Sequence, residues 1–199
     1  MITTHKIFEK IQQDSHWLQK ILIGGILMFI PIINFFALGY LYRYAATILS
    51  TGKLKLPDWE DWGKLFIEGL IFLGILFLYA FVPLLAAWLL YIFIAKITLG
   101  YLAWFPLFPV SIVLVIAPSL VLVGIFSIIK GKKADSLFLK FGKNLNQFFK
   151  FWKFLLIGNL SFLGLQFVGL PIYGLAFFIG FLFLIPYTIA VLNSNNKEE

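Results

Sequence analysis

The sequence predicts an all-α fold, a polytopic transmembrane helical bundle of six spans arranged as three hairpins, with interfacial amphipathic helices between them. Three observations lead there. The chain of 199 residues is 61% hydrophobic and 13% charged, with mean hydropathy +0.96, whereas a globular domain is about half apolar and a quarter charged. Its apolar residues fall into blocks of membrane-crossing length. Its basic residues gather in alternate connections between those blocks. A soluble domain of this size keeps too much surface to hide such a composition, so residues 1–199 read as a single membrane domain.

A bilayer core of about 30 Å takes roughly 20 helical residues, with about 17 as the lower limit. The first apolar block runs from Trp17 to about Thr51 and is interrupted at Pro31 and Asn34. It predicts two short spans, 17–33 and 35–51, with a kinked helix or a re-entrant hairpin as the competing reading. The third span is expected at 69–94, kinked at Pro83. Lys96 to Pro106 reads as a loop, and 107–129 as a span bent at Pro118. Gly169-Leu170-Pro171 divides the last block into spans 149–168 and 172–192.

Six spans place the N-terminus, residues 43–64, residues 130–153 and the C-terminal tail on one side. That side holds all of the 16 Lys and Arg residues except Lys96. Basic loops stay cytoplasmic, so the expected location is the inner (plasma) membrane with both termini cytoplasmic. Splitting the third block at Pro83 would translocate the lysine-rich segment 130–153, and is rejected. Ala37-Leu38-Gly39 could pass as a leader cleavage site, but Glu9 and Asp14 beside Lys6 and Lys10 are unusual for a leader.

Two connections carry patterns of their own. In Leu56-Pro57-Asp58-Trp59-Glu60-Asp61-Trp62, Asp58 can serve as an N-cap with acids in the first turn. Glu60 and Lys64 stand four apart, and Trp59 and Trp62 suit the headgroup layer. An interfacial helix over 58–68 is the preferred reading, over a cation or acid–base site at Asp58, Glu60, Asp61 and Glu68. In 134–149 and on to Lys153, Leu137, Phe138, Phe141, Leu145, Phe148, Phe149 and Trp152 share one helical face. Lys140, Lys143, Gln147 and Lys150 share the other, which predicts a basic amphipathic helix in the inner leaflet interface. Lys130, Lys132, Lys133 and Lys153 extend the positive patch toward anionic lipid. Nucleic acid is not an expected partner, because the patch is interleaved with membrane-directed Phe.

Several stretches carry a resemblance. They are Trp17-Leu18-Gln19-Lys20, Gly39-Tyr40-Leu41-Tyr42-Arg43, the Leu56 to Trp62 loop followed by Gly69, and more weakly Phe141-Gly142 and Ile185-Pro186-Tyr187. With them the chain resembles, over nearly its whole length, the bacterial and archaeal membrane proteins catalogued as domain of unknown function 4013. The tail Asn193-Ser194-Asn195-Asn196 departs from that pattern. The resemblance implies a membrane fold and no particular chemistry.

Ionisable residues inside spans are functional candidates. Arg43, with Tyr40, Tyr44, Thr47 and Thr51 on its helical face, could line a polar cavity, pair with Glu68 or Asp61, or snorkel to the headgroups. Catalytic patterns are missing: His5 and His16 lie in the N-terminal tail, no Ser elbow or phosphate loop occurs, and there is no Cys. Ser111, Ser119 and Ser127 are expected to bond carbonyls freed near Pro118. Asn159-Leu160-Ser161 matches a glycosylation acceptor but falls inside a span. Gly158, Gly164, Gly169, Gly174 and Gly180, with Ala176, are expected to let the last two helices approach closely. The expectation is a protein that is not an enzyme and needs no metal or cofactor. It would be a scaffold or interaction protein binding anionic membrane lipids, with a membrane-protein partner or a second copy of itself. A small transporter or channel subunit is the alternative, since Pro31, Pro83, Pro118, Pro171 and Pro186 interrupt several helices.

Overall fold

The computed structural model describes residues 4–99, 107–131 and 141–194, and no strand occurs among them. Helix α1 (Thr4–Gln12) was not foreseen. Its Ile7 and Ile11, four apart, are buried, and Phe8 stacks on Phe183. The Asp14 carboxylate then accepts the His16 backbone N–H at 2.9 Å and closes the turn into α2 (Trp17–Phe29). At 13 residues α2 reaches only about 20 Å. The turn to α3 (Asn34–Thr51) passes through Ile32 at φ 71°, left-handed backbone that a β-branched residue adopts only under strain.

The helix expected over 58–68 starts only at Trp62, and residues 62–68 are the first turns of the following long helix, not a separate interfacial element. Residues 52–61 are non-helical and lead back along α3, so that Trp62 meets the ring of Phe36. Asp61, at φ 54°, precedes the next helix without capping it through its side chain, and Asp58 lies outside it. The physical reason lies in the groups of Leu56 to Glu60, which bond to Lys20 on α2 and to Tyr40 and Arg43 on α3. α4 (Trp62–Leu76), a π turn (Phe77–Phe81) and α5 (Val82–Ile97) make one continuous helical stretch of 36 residues. Pro83 has no N–H and its ring presses on the fourth carbonyl back, that of Tyr79. The π turn just ahead of Pro83 absorbs that mismatch.

α6 (Leu107–Gly131) contains Pro118. The expected division between an interfacial helix and a span near residue 149 is replaced by one helix, α7 (Phe141–Val168), of 28 residues. The expected positions 134–140 lie outside the described residues. A short 3-10 turn (Leu170–Ile172) leads into α8 (Tyr173–Ser194).

Among the described residues four helical stretches are long and apolar enough to cross a membrane: Trp62–Ile97, Leu107–Gly131, Phe141–Val168 and Leu170–Asn193. Two are central, with 61% and 67% of their apolar windows buried in α6 and α8. The stretch α4–α5 and α7 bury only 22% each, leaving Phe77, Phe81, Trp88, Phe93, Leu160 and Phe167 outward. Apolar surface on that scale suits lipid and not water.

Candidate functional site

The polar side chains of the first hairpin and its loop form two linked clusters. In the first, Lys20 on α2 is 7% exposed and holds two carboxylates. Its Nζ lies 2.7 Å from Asp14 Oδ2 and 2.7 Å from Asp58 Oδ1. Its own backbone carbonyl accepts the indole N–H of Trp59 at 3.2 Å. Trp59 stacks on Tyr40, centroids 4.2 Å apart, and on Trp62, while the Tyr40 hydroxyl donates to the Pro57 carbonyl at 2.9 Å. Burial works against ionisation of Asp14, but the hydrogen bonds from Lys20 and the His16 amide, with the charges of both residues, hold its carboxyl below the ordinary 3.8.

In the second cluster Arg43 Nε donates to Glu68 Oε2 at 3.0 Å, and Nη1 donates to the Glu60 carbonyl at 2.8 Å. The expected structural pair is therefore made with Glu68. Asp61 takes no part in it, and Glu60 contributes its backbone, not the expected helical pair with Lys64. Tyr40 and Tyr44 are fully buried, and Thr47 and Thr51 spend their hydroxyls on carbonyls of α3 itself. That stripe packs; it does not line the cavities described below.

Farther along, single polar residues join helices. Asn159 accepts both the backbone N–H and the hydroxyl of Ser119, at 3.1 and 2.5 Å. Ser119 therefore bonds a side chain on α7 and not a carbonyl freed by Pro118, whereas Ser111 does bond the Leu107 carbonyl. Asn159 is fully buried, which removes it as a glycosylation acceptor. Asn144 donates to the Tyr79 hydroxyl at 2.8 Å, and Gln166 donates to the Ala176 carbonyl at 3.1 Å. None of these pairs was foreseen. The available signal was an amide standing alone in an apolar helix, which the cost of unpaired polar groups in lipid makes conspicuous.

The α7 face is turned from the expected one. Asn144, Phe148, Phe151, Leu155 and Asn159 point inward, while Phe149 and Trp152 face out. Lys130, Lys143 and Lys153 are exposed, and Lys150 lies 5.8 Å from the Phe151 ring centroid. Lys132, Lys133 and Lys140 lie outside the described residues.

Of the small residues, Gly158 lies against Tyr187, Gly169 against Ala176, and Gly180 against Phe162, as close packing of α7 on α8 requires. Gly174 instead packs on Phe29 of α2, and Gly164 faces open space. The tightest approach was not anticipated: Gly39 and Gly69 seat α3 and α4 backbone to backbone.

Three cavities are notable. A groove of about 420 Å³ between α6 and α7 is lined by Phe108, Ile112, Phe149, Trp152 and neighbours. Another, of about 210 Å³, lies between α7 and α8 beside Gly158 and Tyr187. Both are apolar. The third is a polar cleft of about 640 Å³ beside Lys20.

The family described as Protein of unknown function (DUF4013) matches residues 23–131, which is 109 of the 199 residues. The matched stretch carries Gly39 to Arg43, the Leu56 to Trp62 loop and Gly69. Trp17 to Lys20, Phe141-Gly142 and Ile185 to Tyr187 fall outside it, so the match is shorter than the nearly whole-chain likeness expected. Neither a curated protein nor a solved structure matches the chain. With more than half of its length matched, the chain belongs to the family described as Protein of unknown function (DUF4013).

Proposed function

We infer that this protein works without catalysis, as a membrane-embedded scaffold or interaction protein that engages anionic lipid and a membrane partner at the cytoplasmic leaflet. One observation carries the reading: the long polar side chains inside the helices are each held by another protein group, and the buried polar atoms left without a partner among the described residues (Asn34 Oδ1, Arg43 Nη2, Tyr44 Oη, Asn159 Nδ2 and Thr188 Oγ1) are scattered and do not line one route. Arg43 is held by Glu68, Asn144 by Tyr79, Asn159 by Ser119 and Gln166 by a carbonyl. The grooves between the long helices are apolar, so they suit acyl chains or a partner helix better than a hydrated substrate. Transport through broken helices needs polar groups free to meet a solute. The basic residues favour cytoplasmic termini in the inner membrane. The α2–α3 hairpin, whether it crosses twice or returns, keeps the count of crossings even.

Lys130, Lys143, Lys150 and Lys153, with Lys132, Lys133 and Lys140, supply the expected anionic-lipid contact. The test is flotation of the purified chain, incorporated in nanodiscs, with anionic vesicles at increasing salt. Lys143→Gln with Lys150→Gln and Lys153→Gln should weaken capture several-fold. Capture unchanged by these substitutions, or solute flux into proteoliposomes that Arg43→Ala abolishes, would overturn the reading.

A further inference from the structure

The cleft beside Lys20 lies between the end of α1, the turn into α2 and residues 53–58. At about 640 Å³ it is within the size range of small-ligand sites. Lys10, Lys53 and Lys55 line it and are exposed. Among the described residues no acid forms an ion pair with any of the three. At the wall Asp14 and Asp58 are both tied to Lys20; Asp14 is turned inward, while Asp58, its side chain 63% exposed, borders the cleft. Four lysines against two aspartates give the lining a net charge of +2 with His16 neutral.

We propose that this cleft binds a phosphate monoester dianion, with Lys10, Lys53 and Lys55 as its ligands and the Asp14–Lys20–Asp58 group as a fixed wall. The lining charge matches that of the dianion. The cations are all lysines, compact point charges suited to phosphate, and there is no arginine in the lining to give the forked geometry that planar carboxylates favour. The α2 N-terminus at His16 adds positive potential at this end, part of it already taken by Asp14, whose carboxylate accepts the His16 N–H. The phosphate can belong to a lipid headgroup or to a soluble compound. The site is separate from the α7 lysines and does not depend on the scaffold reading.

The test uses the full chain in detergent titrated with inorganic phosphate, and the chain in phosphatidylcholine nanodiscs with and without phosphatidic acid. Lys53→Gln with Lys55→Gln should weaken binding at least tenfold. Lys53→Arg with Lys55→Arg should retain most of it, and Asp58→Asn should tighten it several-fold. Saturable binding of inorganic phosphate identifies the soluble source. Protection from heat by phosphatidic acid alone identifies the headgroup. Binding of neither probe overturns the proposal. So does a Lys53→Gln, Lys55→Gln variant that binds like the parent, or an equal loss from Lys143→Gln with Lys153→Gln, which would show only diffuse attraction.

Discussion

Gly39 on α3 and Gly69 on α4 face each other's helices so closely that a methyl group on Gly39 would strike the Leu65 carbonyl, and one on Gly69 the Phe35 carbonyl. Without water to drive helices together, such van der Waals contact between backbones is a main source of association in lipid. The contact also holds α3 at the distance where Arg43 meets Glu68.

Gly39→Ala and Gly69→Ala should therefore each destabilise the protein. Glycine to alanine gains about 1 kcal/mol of helix propensity, but overpacking a site walled by backbone costs about 1–3 kcal/mol or more. Melting in detergent should shift down by several degrees for both. Gly164→Ala, which meets nothing within 4 Å, should melt at or above the parent temperature. Equal behaviour of the three variants would refute the close approach.

The Ser119–Asn159 pair should show measurable coupling. Interhelical hydrogen bonds in membranes average about 0.6 kcal/mol and reach about 1.7 kcal/mol in double-mutant cycles. Here two donors meet one buried oxygen, so the upper part of that range is expected. Ser119→Ala, Asn159→Ala and the double variant, unfolded reversibly in mixed micelles, give the cycle. Additive losses would mean that the two residues do not interact.

Much of the fold was legible because lipid demands long apolar helices: the four long stretches and the breaks near residues 31, 100 and 170 all show in the hydropathy. The α7 face was legible only in part. Phe149 and Trp152 turn outward, as the membrane-directed face expected of them requires. Phe148 does not stay with them: Asn144 and Asn159, which are costly to leave unpaired in lipid, turn in and bring Phe148 and Phe151 onto the packed side. The Trp loop was misjudged differently. Its local pattern favours a helix, but Tyr40, Arg43 and Lys20, distant in sequence, take its carbonyls and Asp58. Arg43 with Glu68 was readable, because an arginine in an apolar stretch needs an acid. Lys20 with Asp14 and Asp58 was not, since nothing periodic links those positions.

Arg43 and Glu68, with side chains 15% and 13% exposed, should respond asymmetrically to substitution. Breaking a buried pair by removing one partner costs about 3–5 kcal/mol, and partial exposure here places the expected loss at or below the lower end. Glu68→Ala leaves a cation facing an apolar wall and should lower the melting temperature markedly. Arg43→Met with Glu68→Met should recover most of that loss, because the uncompensated charge is gone. Failure of the double variant to recover would assign Arg43 a role beyond the pair, with its bond to the Glu60 carbonyl as the first suspect.

Acid should loosen the Lys20 cluster before it loosens the helices. The Asp14 carboxyl is held below its ordinary 3.8 in the folded protein, so the unfolded chain binds this proton more readily. A depressed carboxylate stabilises the fold fully above the unfolded value, and that contribution fades as pH falls through 3.8 toward the lower folded value. Melting of the parent and of Asp14→Asn should therefore differ most at pH 5 and above, and converge as the pH drops below about 4. Proteolysis after α1 offers a local readout, since Asp14 closes the turn between α1 and α2 and anchors Lys20. A difference between the two proteins that stays constant from pH 7 down to pH 3 would mean that the Asp14 side chain acts through its shape and not through its charge.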